Sequence, residues 1–379
     1  MRNLLQVFIV LTSSLGAGEV SFKKVVVDRT FRSEGVATAD VNRDGRLDIL
    51  AGDVWYEAPD WKLHEVRPVR RYNPTRGYSL CFQNFAWDVN ADGWPDSIIV
   101  NFPGRSCTWY ENPKGKPGHW KERVVWPSAC GETPLFDDLL GTGKPVLMFA
   151  IQPEGQIGWF TIPKNLEGRW DFHPFTPPKS HSTHRFTHGY GMGDINGDGR
   201  NDFLCTRGWW EQPDDPNKTP WPFHPANLGP ACANMVVYDF DGDGDNDVAT
   251  SSAHNYGMWW FEQVKTDKGI EFRQHQFFKK YSQTHALILA DINRDGIKDL
   301  VTGKRHFAHN GRDPGGKDPA MLFWFEVRRP AKGKVQFILH EIDNDSGIGT
   351  QFEVRDMNRD GKLDIITSNK KGVHLFLQQ

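Results

Sequence analysis

The chain has few cysteines, no polybasic run and, past its first eighteen residues, no long apolar stretch. Each absence closes off a class. Cys81, Cys107, Cys130, Cys205 and Cys232 are the only 5 cysteines in 379 residues, an odd set without the Cys-x-x-Cys pairing of zinc sites. At most two bridges could form, auxiliary to a core that a chain of this length builds unaided. A formal charge of -3 with 25% charged residues carries no signature of nucleic-acid or anionic-lipid binding. A mean hydropathy of -0.58 excludes a polytopic membrane protein, and 13% aromatics exclude a disordered polyampholyte. Gly-rich phosphate loops and Ser nucleophile elbows are also missing. What is abundant is 37 Gly, 24 Pro and 15 Trp, the composition of many turns between aromatic-rich strands.

The exceptional start is Arg2, the apolar run Leu4 to Leu11, and small residues through Ala17 and Gly18. That is the layout of a secretory signal peptide, too short to span a bilayer. Residues 1–18 are therefore expected to be removed and 19–379 to form one domain, secreted or periplasmic.

Self-similarity organises that domain. The pattern Asp-x-Asn/Asp-x-Asp-Gly-x-x-Asp appears at Asp40-Asn42-Asp44-Asp48, Asp88-Asn90-Asp92-Asp96, Asp194-Asn196-Asp198-Asp202, Asp239-Asp241-Asp243-Asp247, Asp291-Asn293-Asp295-Asp299 and Asp356-Asn358-Asp360-Asp364. An eroded copy lies at Asp138, Gly141 and Gly143, and successive copies start 45 to 65 residues apart. Apolar, strand-length runs precede and follow each loop. A third run carries Trp-aromatic-Glu, as at Trp55-Tyr56-Glu57 and Trp260-Phe261-Glu262, and a fourth is looser. Four strands in seven units predict an all-β fold, a seven-bladed β-propeller of four-stranded blades. The last unit ends after its third strand, so the strand Phe22 to Val27 is expected to complete it and remove an exposed edge.

Oxygen ligands at positions 1, 3, 5 and 9 around a Gly turn suit Ca²⁺, completed by the position 7 carbonyl and water. One copy alone would read as an Asx-rich turn; six in register predict up to six structural calcium sites. Ala51, Ile99, Cys205, Thr250, Thr302 and Thr367 stand where an EF-hand needs Glu. Nineteen of the 48 acidic residues are expected calcium ligands in these motifs. Filling the sites would make the protein net positive and so compatible with an acidic polysaccharide.

These loops between short strands resemble the FG-GAP/VCBS repeat propellers, over nearly the whole domain. The stretches Thr284-His285 to Asn293 and Thr187-His188 to Asp194 also resemble the propeller of the fungal aldos-2-ulose dehydratases, which implies metal-dependent chemistry on keto-sugars.

If the acidic loops lie on one face, the starts of the first strands share the other. There Glu34, Gln83, Glu132, His188, Asn234, His285 and Gln351 form a ring, one per unit. Longer loops in units five and six add His254, Tyr256, Lys304, Arg305, His306 and His309. The reading takes His188, His285 and Tyr190 as bases, acids or ligands, and Lys304 and Arg305 as stabilisers of developing charge. Glu34, Gln83, Glu132, Asn234, His254, Tyr256, His306, His309 and Gln351 then bind substrate. That parts list fits β-elimination from a uronate or keto-sugar by a carbohydrate lyase or dehydratase, with three His equally able to hold zinc. The alternative is a non-catalytic glycan- or protein-binding propeller. A monomer is expected. His64, His119, His173, His224, His275 and His340 fall on outer strands, and the Trp-aromatic-Glu repeats read as packing between units.

Overall fold

Each acidic loop is a tight turn between two strands, and its Gly is the reason: Gly45, Gly93, Gly199, Gly244, Gly296 and Gly361 all hold φ between 83° and 98°, which a side chain resists. The structure is a computed structural model describing residues 20–229, 232–331 and 334–379; the signal-peptide reading lies outside them. Described residues form 27 strands and one short 3-10 turn, and no helix among them is long and apolar enough to cross a membrane. The all-β expectation holds.

Every repeat unit runs as an antiparallel meander. Unit one is Ala37–Ala39, Asp48–Ala51, Val54–Glu57 and Lys62–Glu65. Units two and three share the long strand Lys121–Asp137, whose first half pairs with Arg105–Glu111 and whose second half pairs with Val146–Ile151. Units four and five join through a parallel pairing of Gly191–Gly193 with Met235–Tyr238. Unit six starts at Leu287–Ala290 and unit seven at Glu353–Arg355. Second strands such as Asp202–Cys205 and Val146–Ile151 are buried throughout, whereas fourth strands such as Lys62–Glu65 are mostly exposed.

First strands of neighbouring units abut. Direct contacts join units one to two, two to three, and four through seven in succession. Glu132 N donates to Thr187 O at 2.7 Å between units three and four, and Thr350 N donates to Glu34 O at 2.8 Å between seven and one. The N-terminal strand Phe22–Asp28 pairs with Gly372–Gln378. The circuit of first strands encloses a cavity of about 270 Å³ lined by Gln83, Phe85, Phe136, Asn234, Gln351 and Glu353, among others. The apolar core lies between units: Met148 and Trp159 of unit three pack with Phe203 and Trp210 of unit four. Cys81, Cys107, Cys130 and Cys205 are buried free thiols, and Cys232 is buried too.

Position 9 of the motif does more than the sequence reading assigned to it. In all six copies this Asp is buried, and its two oxygens accept backbone N–H groups from two places. One is motif position 2: Val41, Val89, Ile195, Phe240, Ile292 or Met357. The other is the far end of the third strand: Ala58, Asn112, Gln212, Gln263, Val327 or Gln378. In five of these the donor directly follows the Glu of Trp-aromatic-Glu, so loop and third strand are tied together. Burial pushes the carboxyls up, Asp48 to about 6 and Asp96, Asp202, Asp247 and Asp299 to about 7, against the pull of these hydrogen bonds. The eroded third unit has Val146 at position 9, so it lacks the carboxylate of this fastening, and Thr161 stands in place of the Glu.

The outer His residues have a structural role. His64, His224, His275 and His340 each stack on the Trp directly across the strand pair, with ring centroids 4.1–4.7 Å apart. Each also contacts the Glu two residues after that Trp, at 2.7–3.1 Å. In unit two Arg123 takes the His position, 4.8 Å over Trp109 and paired with Glu111.

Candidate functional site

The starts of the first strands converge because the strands themselves abut, and four of the seven ring positions meet there. Glu132 Oε2 lies 3.2 Å from His285 Nε2 and 3.3 Å from His188 Nε2. His188 Nε2 lies 3.0 Å from Nε2 of His254, delivered by the loop of unit five. Ligating nitrogens of the three His all fall within 4.8 Å of one another. Arg305 completes the group, with NH2 3.3 Å from Glu34 Oε2 and NH1 3.9 Å from Glu132 Oε2.

Long loops roof this centre. The loop after Gly303 carries Asp313, whose Oδ2 accepts from His254 Nδ1 at 3.1 Å and Gln283 Nε2 at 2.9 Å, while Oδ1 accepts from His309 Nδ1 at 2.9 Å. A neutral imidazole that donates through Nδ1 presents a bare Nε2. Asp313 thereby aims the lone pair of His254 at the centre, where its Nε2 meets that of His188. The roof loop rests on Tyr78, whose hydroxyl accepts from His309 N at 2.8 Å, and Asn310 Oδ1 accepts from Gly77 N at 3.0 Å.

Charge follows burial. Burial alone would raise the Glu132 carboxyl, but hydrogen bonds from His188 and His285 hold it well below the usual carboxylate range. Burial pushes His285 down, and Arg305 nearby adds to this. His254 falls to about 4, chiefly through burial and secondly through His188. The centre is a fixed anion beside two imidazoles, His254 and His285, that burial holds toward the neutral form, with buried Arg305 kept charged against its desolvation by Glu34, Tyr78 and Glu132.

Several expected site residues take other places. Lys304 is fully buried, with Nζ donating to Gln283 Oε1 at 3.3 Å and Arg305 O at 3.1 Å, and burial lowers it to about 8. Lys304 is turned to these partners and Arg305 to Glu34 and Glu132, so the placement is corrected: neither stands at the mouth where the expected charge-stabilising role put it. Tyr190 is corrected likewise. It lies in the core between units three and four, its hydroxyl donating to Ser182 O at 2.6 Å. Gln83 Nε2 donates to Glu132 O at 2.9 Å, and Gln351 bonds both main-chain groups of Val36, so these amides fasten neighbouring units. Asn234 lines the cavity between the first strands and is not among the side chains that meet at the His centre. His306 is half-buried and pushed by burial to about 4, outside the cluster. Tyr256 stands at the rim, its hydroxyl 3.3 Å from Asp318 Oδ2. Sequence reasoning missed Asp313, Gln283 and Tyr78; only the Gly/Asp/Pro-rich insertion around Asp313 offered a signal.

Residues 209–302 match the family model described as FG-GAP-like repeat, in the stretch that holds the acidic loops at Asp239 and Asp291, in line with the resemblance those loops carry. A search of the curated proteins finds no match. Similar solved structures include BBS1N in complex with ARL6DN, at 10% identity and a TM-score of 0.50 over 94% of this chain and 95% of that one. The exotype rhamnogalacturonan lyase YesX follows at 12% and 0.49, over 94% and 72%. A lectin of Agrocybe aegerita that recognises non-reducing terminal N-acetylglucosamine stands at 13% and 0.45, over 95% and 85%. At such identities the likeness is one of fold.

Proposed function

We propose that this FG-GAP-repeat chain is an exported seven-bladed β-propeller, stabilised by calcium in its acidic loops, whose central His and Glu cluster holds a transition metal such as zinc and acts on carbohydrate by β-elimination. The closed succession of meanders supports the blade count. The observation that carries the site is the approach of His188, His254, His285 and Glu132, with 3.0 to 3.3 Å between the closest donor atoms. Tetrahedral ligands at about 2.0–2.1 Å from an ion stand roughly 3.3 Å apart, so this donor set fits zinc. Rings beside hydrogen-bonding and charged groups at the mouth favour a sugar.

For the loops, Asp239, Asp241 and Asp247 bring ligand oxygens within 4.8 Å of one another. Asp40 Oδ1 is a buried acceptor with no hydrogen-bond partner. Both fit a hard cation.

A metal bound at the centre would supply Lewis-acid polarisation of a keto or carboxylate oxygen. The chain supplies the rest. His309, 44% exposed in its side chain and held through Nδ1 by Asp313, is placed to accept the proton alpha to the carbonyl at Nε2. Tyr256, whose hydroxyl stays protonated through burial and the Asp318 charge, donates to the leaving oxygen. Arg305 holds Glu34 and Glu132 in place.

Elemental analysis of untagged protein, paired with assays on acidic polysaccharides and 2-keto- or 3-keto-sugars followed by ultraviolet absorbance of unsaturated product, tests this. A bound transition metal and a rate abolished in His285→Gln are expected. Undiminished product from that variant, or from metal-free protein, would sink the mechanism. The burial of Lys304 and Arg305, which removes two charge stabilisers, favours a second reading as a glycan- or protein-binding propeller; retention on polysaccharide without product would select it.

A further inference from the structure

A band of aromatic rings leads away from the His and Glu centre along the mouth. His254 stacks on His309 with centroids 4.4 Å apart, His309 meets Tyr78 edge-on at 6.4 Å, Tyr78 meets Phe102 at 5.9 Å, and Phe102 meets Phe186 at 5.8 Å. Phe186 is 39% exposed, one of few large apolar side chains so placed. It stands two residues before His188, on the segment whose Arg185 carbonyl accepts from Gly131 N at 3.1 Å, beside Glu132. The guanidinium of Arg185 lies 4.4 Å over the Phe186 ring and 5.9 Å from that of Phe102.

The carboxylates of the roof loop, Asp313 and Asp318, are already engaged by His254, Gln283, His309 and Tyr256. Arg76, Arg185 and Arg312 are exposed on the loops that frame the band, and none forms an ion pair among the described residues. Arg76 directly precedes Gly77, which bonds to Asn310 of the roof loop. The acidic loops lie at the opposite ends of the first strands, so their carboxylates do not neutralise these cations at short range.

We propose that Tyr78, Phe102 and Phe186, framed by Arg76, Arg185 and Arg312, form a binding subsite for the uronate-bearing part of a polysaccharide whose reacting sugar sits at the His and Glu centre. A sugar ring can stack at exposed Phe186, with half-buried Phe102 and Tyr78 continuing the band behind it, and exposed guanidinium groups pair bidentately with carboxylates. The subsite names the substrate class of the site proposed above and rests on that reading.

Affinity electrophoresis of the full chain through gels containing polygalacturonate or neutral dextran tests it. Polygalacturonate is expected to retard the protein and dextran to leave it unmoved, with retardation falling as salt rises. Phe186→Ala and Arg185→Gln are each expected to weaken retardation about fivefold or more, equivalent to roughly 1 kcal/mol, while metal content stays unchanged. Equal retardation by both gels, none by polygalacturonate, or none of that weakening in either variant would overturn the subsite. Metal content decides separately on the centre: a subsite that fails in a metal-loaded protein leaves the centre standing.

Discussion

A single carboxylate settles how His254 meets the centre. Asp313 accepts from His254 Nδ1, and exchanging it for an amide lets the side-chain NH2 group face that nitrogen and reverse the tautomer. Asp313→Asn is expected to lower transition-metal affinity by about 10- to 100-fold, read by competition with a chromogenic chelator; unchanged affinity would contradict the orienting role. His374, far from the site on the third strand of unit seven, offers a pH test. Burial pushes it to about 4, with Lys24 and Arg29 pressing the same way and Asp343 and Asp345 opposing. The unfolded ring gains its proton near 6.5, so the stability contributed is whole above that pH and is lost as pH falls from 6.5 toward 4. Urea titrations at several pH values should show His374→Gln flattening this fall by about 2 kcal/mol; an equally steep fall in the variant would refute it. At this scale His188 and His285 were legible because a repeat places the same residue type at the same offset from its loop. Asp313 and Tyr78 were not: both stand in loops without a counterpart in other units, and nothing local ties them to His254 or His309.

Within the meanders, one Asp joins three segments. Asp299 accepts from Ile292 N and Val327 N, binding the loop to the end of the third strand. Asp299→Asn keeps the shape but turns a donor toward one of two buried N–H groups, at a cost of about 2 kcal/mol. Denaturant unfolding in chelator isolates this from any metal effect, and a loss below about 0.5 kcal/mol would show the fastening to be dispensable. The strand runs and the Trp-aromatic-Glu motif were readable from periodicity. The partner of each Trp was not, since the turn between third and fourth strands ranges from two residues, between Thr266 and Gly269, to twelve, between Trp210 and Phe223. Register across the pair, decided by packing, puts every one of these His residues on its Trp.

Closure belongs to the whole molecule. Without residues 20–28, strand Gly372–Gln378 loses its partner and presents a bare edge. A chain lacking them is expected to form soluble aggregates, visible by light scattering during size-exclusion chromatography; a stable monodisperse product would argue against closure as a stabilising device. Chelation by EGTA should lower Tm and Ca²⁺ should restore it, since an ion bound only by the folded chain stabilises by mass action; an unmoved Tm would leave the loops as plain Asx turns. The amino-acid order by itself determined the repeat, the position of every acidic turn and the buried second strands, because these depend on contacts a few residues apart and recur with each copy. Which side chains share the centre was decided only by the tertiary structure. Glu132, His188, His254, His285 and Asp313 come from four different units, and only the ring of abutting first strands brings them together. That same packing sealed Lys304 and Tyr190 away from the mouth to which their positions in the chain had assigned them.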